Sequence, residues 1–211
     1  MESDSVWIER TEGDYLNYCL GEVFVAYRNG NYCAFYVSEP FDASALGAHA
    51  TRDFNYYNML KAWKALDPSY PFNDSHAKTY SVRDGSNWEA TLKPRLRERL
   101  QVSKNIVLIL SSKTIESRAV KEEIEYGIDN QGLPVIVIYP EYSEKTDLVA
   151  NGELKNEIKN LWNKLPIFKS LKGKVPVLHV PMKKEIIKNA LEHSDFTFSG
   201  KTGTGDYWFK V

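Results

Sequence analysis

Residues 105–139 read NIVLILSSKTIESRAVKEEIEYGIDNQGLPVIVIY, and this stretch decides the fold. Two short apolar runs, Ile106–Leu110 and Val135–Tyr139, flank one helical pattern. Both runs are rich in Val and Ile, as strands buried on both faces are. Two such strands joined through a helix make a parallel βαβ unit, because parallel strands need a long crossover. On a wheel at about 100° per residue, Val120, Ile124 and Ile128 form the apolar stripe of that helix, with Ala119 and Gly127 on one shoulder. Glu123 sits between these two small residues, while Glu122 and Glu125 fall on the opposite, solvated side. One of three neighbouring carboxylates therefore points toward the sheet, with little side-chain bulk above or below it. Burying it is costly unless something pairs with it. If it lines a cleft, the small neighbours leave room for a ligand. The plainer alternative is a rim glutamate that reaches water or an Arg, since perturbed carboxylates serve structure as well as function.

Outward from this unit, strand and helix alternate about five times. Tyr32–Val37 reads as a strand, followed by a loop with Pro40 and Gly47. Phe54–Leu66 reads as a helix with Tyr56, Leu60 and Trp63 on one face, and Tyr70–Phe72 as a short strand. Ser86 and Glu89 have capping-box spacing. The helix they start carries Trp88, Leu92, Leu96 and Leu100, with Pro94 inside it, which requires a kink or a later true start. Beyond the central unit come a helix over Leu154–Leu165, a strand over Val177–Val180 and a helix over Met182–His193. Asp195–Phe198 and Tyr207–Val211 are expected to form a terminal hairpin. Near the start, Asn29-Gly30 is a turn signal that would pair Glu22–Tyr27 with Tyr32–Val37. The fold class is α/β: a doubly wound parallel sheet of about five strands with helices on both faces. The expected organisation is one domain over residues 31–195, an extension or hairpin over 1–30, and a hairpin or tail over 196–211.

At 211 residues the chain is long enough for one sizeable domain, and its formal charge of −1 argues for neither nucleic acid nor a membrane surface. No apolar run approaches the roughly 20 residues that span a bilayer. The first residues, MESDSVWIERTEGD, are unlike a secretory signal. Cys19 and Cys33 are too few for a disulfide scaffold, and a reducing cytoplasm is the default setting. Four scattered His and two Cys show no metal-ligand spacing, so no metal is expected.

In doubly wound sheets ligands bind beyond the carboxyl ends of the strands. That places Ser38 and Phe41 after the first strand, and Asp74 and His76 after the second, among the candidate ligand contacts; turn chemistry is the alternative for both pairs. The first loop, SEPFDASALGAHA, is neither a dinucleotide fingerprint nor a phosphate-binding loop. Lys93, Arg95, Arg97 and Arg99 read as a mostly solvated helix face. Glu123 is less simply placed, because it lies two to three turns into the expected helix.

Four segments carry a resemblance to a known family. They are NYCAFYVSEPFD, DFNYYNMLKAWKALDPSYPFNDSH, VRDGSNWEATLKPRLRERLQVSKNIVLILSS and SRAVKEEIEYGIDNQGLPVIVIY. The last resembles a pattern of Ser or Asp, then Trp-Val, two variable residues, Glu-Ile, and a strand after Gly-Lys-Pro. Together they resemble the TIR-like domains of the divergent bacterial and archaeal group typified by Thoeris anti-phage defence proteins, over about residues 31–195. The resemblance implies a flavodoxin-like TIR fold and an enzyme that cleaves NAD, taken as substrate with no cofactor. It implies that Glu123 is catalytic and that Ala119 lies beside the substrate. It also implies self-association, and a cyclic or linear ADP-ribose nucleotide that diffuses to a separate effector. Ala119 departs from the family, which usually has Trp there; this favours a second expectation, a non-catalytic TIR-like interaction module. A third is a nucleoside deoxyribosyltransferase-like enzyme, which also uses a Glu on an α/β architecture.

Overall fold

The computed structural model describes residues 18–20, 23–25, 27–36, 52–76 and 87–211. Among them, β1 (Tyr18–Leu20) and β2 (Val23–Val25) form a small antiparallel ladder. The chain continues through β3 (Gly30–Ala34), α1 (Arg52–Leu66), α2 (Lys93–Gln101), β4 (Ser103–Ile109), α3 (Arg118–Glu125) and β5 (Val135–Tyr139). Then follow α4 (Lys145–Leu148), the short ladder of β6 (Val149–Ala150) and β7 (Glu153–Leu154), α5 (Asn156–Leu161), α6 (Pro166–Leu171), β8 (Pro176–Pro181), α7 (Lys184–Glu192) and β9 (Gly205–Trp208). One five-stranded sheet runs β3-β4-β5-β8-β9, with every neighbouring pair parallel.

Strand parity divides the core into two layers, because successive side chains leave a strand on opposite faces. Tyr32, Ile106, Leu108, Val135 and Val137 face Leu96 and Leu100 of α2 and Val120 and Ile124 of α3. Cys33, Val107, Ile109, Ile136 and Ile138 face Tyr57 and Leu60 of α1 and Ile186 and Ile187 of α7. The central strands β4 and β5 are thus covered on both sides, which explains their unbroken apolar runs.

Several elements differ from the sequence reading. The hairpin through Asn29-Gly30 does not form; β3 pairs parallel with β4, and Val23–Val25 pairs with Tyr18–Leu20. Tyr70–Phe72 is not a strand; just after it, Asn31 and Asp74 form an isolated parallel bridge. A buried asparagine does the work of a ladder. Asn31 donates to Asn73 O at 2.6 Å, its side-chain oxygen accepts Asn73 N at 2.8 Å, and its carbonyl accepts Ser75 N at 3.1 Å. Its amide also donates to Asn105 Oδ1 at 2.8 Å, and Asn105 donates to Phe196 O at 2.9 Å. The second helix opens with a π turn over Trp88–Leu92, capped by Asn87 rather than Ser86, before Pro94 enters the first turn of α2. The helix expected over Leu154–Leu165 is present but shorter: α5 spans Asn156–Leu161 and a 3-10 turn carries it through Lys164, while Leu154 belongs to β7. Asn151 and Gly152, at φ 52° and 77°, turn β6 into β7, and Pro166 starts α6. The terminal hairpin is absent: Ser194–Phe196 is a 3-10 turn, and Gly205–Trp208 joins the sheet beside β8.

That last strand is stapled through polar groups. Trp162 Nε1 donates to Tyr139 Oη at 2.9 Å, Tyr139 donates to His179 Nδ1 at 2.8 Å, and His179 Nε2 donates to Asp206 Oδ1 at 3.0 Å. Lys172 completes the chain at 2.5 Å from Asp206. Burial holds His179 below its ordinary value, which favours the neutral ring this pattern requires.

The asparagine network gives a stability prediction. Asn105→Ala strands the Asn31 amide and the Phe196 carbonyl, so urea unfolding is expected to lose about 1–3 kcal/mol. A loss near zero would show that neither group depends on Asn105.

Candidate functional site

The helix that carries Glu123 starts at Arg118, with Ser117 capping it by accepting Val120 N at 3.3 Å. Glu123 therefore lies about one and a half turns into α3, nearer the helix start than the sequence spacing implied. Val120 and Ile124 are fully buried against the sheet and set the rotation of the helix. That rotation turns Glu123 onto Tyr32, the middle residue of β3.

Tyr32 donates its O–H to Glu123 Oε1 at 2.9 Å. Oε2 is buried and accepts nothing among the described residues. Burial pushes the Glu123 carboxyl up to about 8, against smaller opposing effects of the Tyr32 hydrogen bond and the Arg99 charge. The group is thus mostly neutral at pH 7. Asp53, at the start of α1, is a useful contrast. It too is buried, but Ser111 donates to Oδ1 at 2.6 Å and Thr114 to Oδ2 at 2.7 Å. One buried carboxylate is satisfied on both oxygens and closes the loop after β4; the other is satisfied on only one.

The small residues flanking Glu123 play different parts. Ala119 is buried in the first turn of α3. Gly127 leaves no room for a ligand: a Cβ there would lie 2.5 Å from Ile106 Cδ1 and 3.2 Å from Leu100 Cδ2. Its missing side chain lets α3 settle on the core. Glu125 is exposed, but Glu122 is half-buried, held by Arg97 at 2.6 Å and Lys93 at 3.6 Å. The basic face of α2 is correspondingly only partly solvated. Arg97 also lies over the Tyr126 ring, and Arg99 Nη1 reaches His76 Nδ1 at 3.3 Å.

His76 stands beside this centre. Its Nε2 donates to Cys33 O at 3.0 Å, leaving Nδ1 to accept from Arg99, and its ring is tilted against Tyr32 at 4.7 Å. Burial holds His76 down to about 4, with Arg99 acting the same way and Asp74 opposing, so the ring is neutral at pH 7. Asp74 is one step further out. It accepts Tyr57 O–H at 2.5 Å and His76 N at 2.9 Å, which is the Asx-turn alternative realised. It also borders a cleft of about 570 Å³ with Lys61, Lys64 and Phe72, in whose walls Glu123 takes no part. The structure therefore brings Glu123 and His76 together through Tyr32 and leaves Asp74 at the margin. Ser38 and Phe41 lie outside the described residues.

Two site residues were not singled out from sequence. Tyr32 looked like one more strand residue, although a buried phenol usually has a hydrogen-bond partner. Arg99 looked like part of a basic helix face; its inward turn follows from Leu96 and Leu100 packing beside it. Among the described residues, no group of three or more His, Cys, Asp or Glu could hold a metal ion, and no helix is long and apolar enough to cross a membrane.

Residues 32–145 match the family model for the TIR-like domain of the Thoeris protein ThsB, more than half of the chain. The matched span starts at Tyr32 and contains Asp74, His76, Arg99 and Glu123.

The buried carboxyl gives a stability prediction with a definite sign. Glu123 ionises near its ordinary value when unfolded and only near 8 when folded, so the folded state holds the extra proton between about 4.5 and 8. Wild-type protein should lose stability relative to Glu123→Gln as pH rises through that window, and the gap should level off above it. Denaturant unfolding of both proteins at pH 5, 7 and 9 checks this; a pH-independent gap would mean the carboxyl is solvated.

Proposed function

From a chain that belongs to the Thoeris ThsB TIR-like domain family, we propose an enzyme that breaks the bond between ribose and nicotinamide in NAD. The product is an ADP-ribose nucleotide, linear or cyclic, that signals in antiviral defence. The observation that carries this reading is the asymmetric carboxyl: Glu123 is a half-buried residue whose carboxyl is tied at Oε1 by Tyr32 and whose Oε2 is buried and unpartnered among the described residues.

The chemistry asks for little more. Nicotinamide departs neutral, and positive charge develops on the ribosyl ring, so the reaction needs no metal. A carboxylate held at the ribose stabilises that charge, orients a hydroxyl or attacks the anomeric carbon. The resting site favours neutral Glu123, but the bound pyridinium cation favours the carboxylate. Substrate thus promotes the charge state the reaction uses. Attack by water gives ADP-ribose; attack by the adenine of the same molecule gives a cyclic isomer, which a dry site favours. Asp74, His76 and Ala119 belong to this proposal as surroundings of the substrate, with His76 the best placed of the three. Self-association, a cytoplasmic setting and an effector reached by the diffusing nucleotide complete it.

A second reading, a non-catalytic TIR-like interaction module, is favoured by Ala119 in place of the family's Trp and by the filled space at Gly127.

Purified protein offered NAD and deoxynucleosides in parallel, with products read by mass, separates the readings. Nicotinamide release from NAD, reduced on the order of 100-fold or more in a folded Glu123→Gln variant, is the expected result. Base exchange on deoxynucleosides would replace the reaction class, and undiminished release by the variant would remove Glu123 from it.

A further inference from the structure

Tyr32 is only 1% exposed, and its single O–H goes to Glu123 Oε1. The phenol is fixed from three sides. Its backbone lies in the β3–β4 ladder beside Ile106, its ring meets His76 at 4.7 Å, and His76 is itself held by Cys33 O and Arg99. Burial pushes the Tyr32 proton well up, so the phenol remains a donor at any working pH. Among the described residues, Glu123 meets this rigid donor on one oxygen and nothing on the other.

We propose that Tyr32 is the positioning residue for Glu123: its O–H fixes Oε1, sets the plane of the carboxyl and leaves Oε2 as the oxygen that meets the ribosyl group of the substrate. The substrate part rests on the NAD-cleaving reading, whereas the positioning contact does not. Among the described residues, the titratable and charged groups that act on the carboxyl are Tyr32 and Cys33 from β3 and Arg99 from α2, with His76 and Asp74 one step further out. Glu122, the nearest acid on α3 itself, is turned to Arg97 and Lys93. Of these, Tyr32 is the one that donates a hydrogen bond to Glu123, so its removal acts directly on the ionised form. A donor to a carboxylate lowers its proton affinity; losing that donor raises it.

The test is Tyr32→Phe, which keeps the ring and removes only the O–H. The Glu123 carboxyl is followed by ¹³C NMR on protein labelled at glutamate carboxyls, assigned with Glu123→Gln. The midpoint is expected to move up by about one pH unit or more, the scale of one hydrogen bond to a charged group. In the same variant, kcat for nicotinamide release should fall about tenfold or more, a loss of that size being the usual scale for one misplaced group. The KM for NAD should be nearly unchanged and the acid limb of the pH profile should move up. As a second probe, 3,5-difluorotyrosine at position 32 strengthens the donor and should move the midpoint down. An unmoved midpoint in both variants overturns the proposal, as does a KM rise with kcat intact. If the midpoint moves but the wild-type protein releases no nicotinamide, the positioning contact stands and the NAD reading falls.

Discussion

The structure turns on one desolvated carboxyl, Glu123, pressed by its own helix onto a strand tyrosine. The apolar stripe of α3 leaves no choice of rotation. Val120, Ile124 and Ile128 must face β4 and β5, and the close approach at Gly127 brings the helix down onto Ile106 and Leu100. Once that packing is made, Glu123 enters the interface whatever it costs. Tyr32 offsets part of the cost at Oε1 and leaves the rest unsettled at Oε2. Buried polar atoms are normally paired, and Asp53 on α1 shows the loop after β4 satisfying a carboxylate on both oxygens. Local destabilisation of this kind is characteristic of functional sites.

The rest of the site is assembled around that contact by polar groups inside the fold. Asn31 holds the segment 73–75 against β3 without a full strand, and so delivers His76 to the Tyr32 ring. Arg99 comes from the same helix face that buries Leu96 and Leu100, and its charge adds to the burial that keeps His76 neutral. The His179–Asp206–Lys172 chain plays the corresponding part at the far edge, where it anchors a strand with little apolar surface of its own.

Much of this was legible in the sequence wherever a local period carried the information. β5 falls where its apolar run lies, the stripe of α3 is the one drawn on the wheel, and the inward Glu123 follows from it. The features that depend on distant partners were not legible. Tyr207–Val211 reads as a strand, but its partner does not show: GDYW pairs parallel with β8, where Lys172 also holds Asp206. Tyr70–Phe72 has strand composition, yet Asn31 pairs with the residues just after it. Apolar spacing marks the helix over 154–165, but its true start at Asn156 depends on the Asn151-Gly152 pair, a strong hairpin signal that puts Leu154 in β7. Glu123 was visible from spacing, but its partner was not, because Tyr32 lies 91 residues away.

The central claim is that the free oxygen of Glu123 meets a cationic substrate, and proton counting tests it most directly. A non-cleavable carbocyclic NAD analogue, titrated calorimetrically into the protein near pH 7 in two buffers of different ionisation enthalpy, reports protons released on binding. A carboxyl that is neutral at rest and ionised beside the pyridinium predicts release of a proton from wild-type protein and none from Glu123→Gln. Binding with no release, or with equal release from both proteins, would contradict the account.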